Sequence, residues 1–123
     1  METNEQVTTR DEVVKAFRMM WENYPSPVML ITYTHEIVAV NDVCASYGTP
    51  LGVKCFSLGG NHSGCKAGAA KKSGKAVRHV AYAADRGVVY DGYWLPVCGE
   101  YLVHFGNDIT AYVDADRFKN ETD

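Results

Sequence analysis

A chain of 123 residues with 46% apolar and 22% charged residues can bury a core of its own and is too apolar to be intrinsically disordered. Its net charge of -3 argues against a nucleic-acid partner, because affinity for the phosphate backbone comes from clustered Lys and Arg. The opening METNEQVTTR lacks the apolar stretch of a signal peptide and no run approaches a membrane span, so no membrane role and a cytoplasmic location are expected.

Residues 1–9 read as a polar tail, and Thr9 followed by Glu12 fits a capping box that opens a helix. Val13, Phe17, Met20, Trp21 and Tyr24 then recur at helical spacing, giving one apolar stripe on a helix that ends before YPSP. That stripe packs either on its own domain or on a second copy of the chain. VMLITYT and EIVAVN are β-rich runs separated by a polar tip at His35, the pattern of a hairpin. Asn41 or Asp42 can cap a short helix, DVCASYG, ending near Gly48 and Pro50. Residues 52–64 are glycine-rich and irregular, and small and basic residues from 65 to 73 suggest one more helix stopped at Gly74. Lys71, Lys72, Lys75 and Arg78 carry no interleaved aromatics and read as a solvated face. Three strands follow, KAVRHVAYA, GVVYDGYWLPV and YLVHFGNDITAYV, joined at ADRG and at Cys98-Gly99-Glu100. The order predicts an α+β fold in a single domain over 10–113, with a charged tail over 114–123.

The phrases PSPVMLITYTHEIVAVND, GVKCFSL, GYWLPV and GNDIT, in this order and spacing, resemble the PAS sensory domain family across nearly the whole chain. The resemblance implies a five-stranded antiparallel sheet with short helices over one face that enclose a ligand pocket. It also implies an N-terminal amphipathic helix that mediates a homodimer. In that family the phrase similar to Asp108-Ile109-Thr110 closes the sensor and leads into a signalling helix. Only AYVDADRFKNETD follows it here, so output is expected through a separate signalling protein or through the dimer.

KCFSLGGNHSGCKAG, residues 54 to 68, falls in the layer where PAS-like proteins hold cofactors. Four readings stay open for it. Cys55 and Cys65 can be small buried apolar groups in a bend shaped by Gly59, Gly60 and Gly64. Cys55, His62 and Cys65, with Cys44 or Cys98, can bind a soft metal or cluster, although the tight Cys pair of structural zinc is absent. Cys55 and Cys65 can be a redox pair, with Lys54, Lys66 and His62 favouring a thiolate. GVKCFSL also resembles the cysteine motif of flavin-binding photosensors, but Lys54, Phe56, Ser57 and Gly59 replace the residues that would grip the ring. Haem is a further cofactor a PAS-like pocket can hold, with His62 or His79 beneath the iron and His104 a weaker choice.

No GxSxG, GxxxxGKS/T or HExxH is present, and no enzyme is expected. The leading expectation is a sensor of a small molecule, a cofactor or redox state. Its expected lining is Met29, Ile31, Val38, Val40, Phe56 and Leu58, with His79, Tyr93, Leu95, Val103 and Phe105 from the last three strands. The alternative is a stand-alone dimerisation or interaction module with a filled core and no ligand.

Overall fold

The computed structural model describes residues 8–55, 65–84 and 86–119. The expected capping box is present: the Glu12 N–H donates to Thr9 Oγ1 at 3.2 Å and the Thr9 N–H to Glu12 Oε1 at 2.8 Å. Two backbone donors at the helix start are thereby satisfied, and helix α1 runs Arg10–Trp21. Val13 and Phe17 are buried, with Val14 and Trp21 packed beside them. At 3.6 residues per turn these four occupy an arc of roughly 100°. Met20 falls at the edge of that arc and is 73% exposed, so the stripe is narrower than the sequence implied. The arc lies on the chain's own sheet, against Val28, Leu30, Ala39, Tyr101 and Val103. Truncating Phe17 there to Ala would remove about 3 kcal/mol.

The five strands are β1 (Val28–Thr32), β2 (Ile37–Val40), β3 (Val77–Ala83), β4 (Val88–Val97) and β5 (Tyr101–Asp108). They form one antiparallel sheet in the order β2-β1-β5-β4-β3. At the β1–β2 tip, Thr32 Oγ1 accepts from the backbone N–H of Thr34 at 3.2 Å and of Glu36 at 3.0 Å. His35 completes that tip with φ +73°. The β4–β5 connection has Cys98 at φ +58° and Gly99 at φ +68°, and the Glu100 N–H donates to the Val97 carbonyl at 3.2 Å. Two left-handed central residues are what a type I′ turn requires. Cys98 is therefore an exposed turn residue.

The last strand stops at Asp108 rather than continuing to Val113. Asp108 Oδ1 accepts from the Thr110 N–H at 3.0 Å and from its hydroxyl, and Thr110 Oγ1 accepts from the Val89 N–H at 2.9 Å. These bonds hold the Asp108 carboxyl below its ordinary range and turn the chain into two short 3₁₀ segments, Thr110–Tyr112 and Ala115–Arg117. Among the described residues these turns occupy the place where the resemblance implied a signalling helix.

Helices α2 (Asp42–Ser46) and α3 (Ala67–Ser73) cover the other face of the sheet. There Cys44, Ala67 and Ala70 pack on Ile31, Ile37, Val40, Trp94 and Leu102. The sheet is covered on both sides, and no helix among the described residues is long and apolar enough to cross a membrane.

Asn41 joins these parts. It is fully buried. Its Oδ1 accepts from the Val28 N–H at 2.9 Å and the Cys44 N–H at 3.1 Å, while Nδ2 donates to the carbonyls of Tyr24 at 3.1 Å and Ser26 at 2.9 Å. Truncation to Ala leaves several enclosed backbone groups unpaired, at about 1–3 kcal/mol for each that water cannot reach. Asn41→Ala should lower unfolding stability by about 3 kcal/mol or more in a urea titration; a loss under about 1 kcal/mol would show that the four bonds are replaceable by water.

Candidate functional site

On the face beneath α2 and α3, cross-strand register arranges the sheet in rows. One row reads Val77, Trp94, His104, Met29, Val40, from β3 across to β2. The adjacent row reads His79, Gly92, Gly106. Strand alternation puts His79 on the same face as Val77, which packs on the α3-side cluster.

Trp94 and His104 are stacked, with ring centroids 4.5 Å apart and planes 13° from parallel. His104 Nδ1 lies 3.0 Å from the Tyr93 carbonyl and must donate to it, since a carbonyl only accepts. Burial holds the imidazole of His104 below its ordinary pKa, an effect that this hydrogen bond partly offsets. Next to the stack the sheet is bare at Gly92 and Gly106. A methyl group at Gly92 would come within 3.4 Å of both the His79 carbonyl and the Trp94 ring. Gly92 therefore lets the indole lie down on the sheet and keep its stack with His104. His79 Nε2 is shielded from solvent and, among the described residues, has no hydrogen-bond partner.

The expected lining residues divide between the two faces. Met29, Ile31, Val40 and His79 lie on the α2/α3 face. Val38, Leu95, Val103 and Phe105 pack in the cluster beneath α1, on the opposite face, and Tyr93 stacks on Phe105 there at 5.1 Å. Trp94 and Leu102 take their places on the α2/α3 side. The correction is one residue of strand parity. Phe56, Leu58 and His62 lie outside the described residues.

No disulfide links any of the four cysteines. Cys44 is buried, its Sγ donates to Thr49 Oγ1 at 3.3 Å, and burial pushes its thiol pKa up. Cys65 is exposed just before α3. Cys55 is half-buried, packs on the α2/α3-side core and lies 3.8 Å from Nδ1 of His35, a residue the sequence marked only as a hairpin tip. Among the described residues no group of three or more His, Cys, Asp or Glu side chains is placed to hold a metal ion.

The basic cluster is also not uniformly solvated. Lys72 and Lys75 are exposed, but Arg78 grips the nearly buried Asp91 through Nε at 2.6 Å and Nη2 at 2.9 Å and lies over Tyr93. Lys71 reaches the β1–β2 tip. Neither contact had a local sequence signal, since each partner comes from a distant strand.

No protein-family model matches the chain, and no curated protein matches its sequence. Among solved structures it is similar to a domain of an HTR-like protein from Haloarcula marismortui ATCC 43049. That match has a TM-score of 0.55 and 20% identity, over 70% of this chain and 99% of that one. It is also similar to the PAS domain of an HTR-like protein from Haloarcula marismortui, at a TM-score of 0.46 and 18% identity, over 80% of this chain and 99% of that one. The chain is an α+β domain, and its fold is PAS-like.

His104 makes stability depend on pH. In the unfolded chain it titrates near the ordinary value of about 6.5, and in the folded chain only at lower pH. As pH falls below that value the unfolded state takes up the proton first, so stability present at neutral pH is lost toward the folded pKa. His35 is shifted in the same direction. Thermal melts from pH 7.5 down to 5 should show a falling Tm for the native chain and a shallower fall for His104→Asn, whose amide can still reach the Tyr93 carbonyl. Equal slopes would assign the acid sensitivity elsewhere.

Proposed function

We propose that this chain is a signal-sensing domain that binds a planar heteroaromatic small molecule on the α2/α3 face of β3, β4 and β5. The observation that carries this reading is His79 Nε2, enclosed and without a partner among the described residues. Such an atom costs about 1–3 kcal/mol, and folded proteins leave few of them unless something else supplies the missing bond. The surroundings favour a flat ligand with one hydrogen-bonding edge. The Trp94–His104 stack offers π surface, and Gly106 leaves the neighbouring strand without a side chain.

The ligand transmits its presence by binding one packing of the helix layer better than another, and it shifts the balance only by that difference in affinity. Helix α3 is the element positioned to respond, because Ala67 and Ala70 pack in one cluster with Trp94. A partner protein that reads this layer would then receive the signal.

The test uses Trp21→Phe, which leaves Trp94 as the single tryptophan of the two in the chain. Purines, pterins, flavins, porphyrins and indole acids are titrated while emission and Tm are followed. At least one class should give a saturable change in Trp94 emission and a raised Tm, and His79→Phe should abolish both. No saturable response from any class, together with no small molecule carried through purification, would overturn the reading.

A further inference from the structure

Strand β5 carries a glycine that its own surroundings do not require. Gly106 sits in the strand opposite Gly92 and two residues beyond His104, on the α2/α3 face. Its φ lies outside the left-handed region that favours glycine. A methyl group added there would meet the Asp91 carbonyl oxygen at 3.7 Å, Tyr90 Cδ1 at 3.7 Å and Gly92 Cα at 3.8 Å, all ordinary contacts. Gly92 differs, because a methyl group there would come within 3.4 Å of the Trp94 ring. Glycine weakens a strand interior and marks a bulge, a bend or a close approach. The β4–β5 register runs unbroken through Gly106, so its use is to let something approach the sheet.

Beside Gly106, His104 fixes the hydrogen-bonding character of the face. Its Nδ1 gives the ring's proton to the Tyr93 carbonyl, and burial favours the neutral ring. A neutral imidazole has one N–H, so Nε2 of His104 is a lone pair that can only accept. No described residue bonds it. His79 Nε2 sets no such condition, because no bond among the described residues fixes which nitrogen of that ring is protonated.

We propose, on the ligand reading above, that the ligand lies over Gly106 and donates a ring N–H to His104 Nε2. The site thereby selects heteroaromatic molecules with an unsubstituted lactam or azole nitrogen. Gly106 is a specificity residue that acts by having no side chain. His104 touches the ligand, and the Tyr93 carbonyl holds its acceptor nitrogen in place. A ring nitrogen that is methylated, or that carries only a lone pair, has nothing to donate and leaves a buried acceptor unpaired.

The experiment uses the Trp21→Phe chain and compares parent molecules with capped ones. Xanthine is set against caffeine, in which every ring N–H is methylated, and lumazine against its N,N-dimethyl derivative. At least one parent should change Trp94 emission saturably, and its capped analogue should bind at least about 100-fold more weakly, since a site built around an N–H rejects molecules lacking it. Gly106→Ala should keep its circular dichroism, hold or raise its Tm, and bind the parent at least about 10-fold more weakly, the effect of one methyl group in a packed contact. Nitrogen NMR of the labelled, ligand-free chain should show His104 protonated at Nδ1 and bare at Nε2. A proton on Nε2, equal binding of a capped analogue, a response confined to molecules with no ring N–H, or native affinity in Gly106→Ala each overturns the proposal and leaves the ligand reading standing. No saturable response to any molecule overturns that reading and the proposal with it.

Discussion

One buried side-chain amide sets the geometry of the fold. Asn41 ends β2, caps α2, and closes on the backbone that leads from α1 into β1. Its four hydrogen bonds satisfy groups that the two apolar clusters would otherwise leave stranded at their meeting point. A carboxylate would place charge against two carbonyls, and an aliphatic side chain would pair with none of the four groups. The site on the sheet inherits this constraint, because β1 and β5 pair in a register that starts at Val28, where Asn41 holds the backbone N–H.

The apolar faces divide the work. Beneath α1, Trp21, Tyr24 and Phe105 make an aromatic cluster, closed by Tyr93 and by the Tyr24 hydroxyl donating to Asn107 Oδ1 at 3.0 Å. That side is filled by large rings. The α2/α3 side instead packs two helix alanines and a single indole on Ile31, Ile37, Val40 and Leu102, and it holds an imidazole nitrogen with no partner among the described residues.

The element order, the capping box and the three antiparallel hairpins were legible in the sequence because each rests on local patterning or turn chemistry, while the single five-stranded sheet was expected from the PAS resemblance. Strand parity was not. A sheet open to water on one face alternates apolar with polar residues and declares its inside, but this sheet is covered twice. Tyr93, Leu95, Val103 and Phe105 therefore looked as core-facing as Trp94 and Leu102, and the wrong set was assigned to the α2/α3 side. Cys55 was singled out together with Cys65, for the nearby Lys54, Lys66 and His62 in sequence. Its partner in space, His35, lies 20 residues earlier, and the lysine behind that ring comes from α3.

Helix α3 connects these two places. Ala67 and Ala70 pack on the cluster that contains Trp94, and the next residue, Lys71, crosses to His35 and the Tyr33 carbonyl. A helix of seven residues with a left-handed Gly74 at its end has little room to bend within itself. Any displacement of its alanine face over the sheet therefore carries the Lys71 ammonium with it.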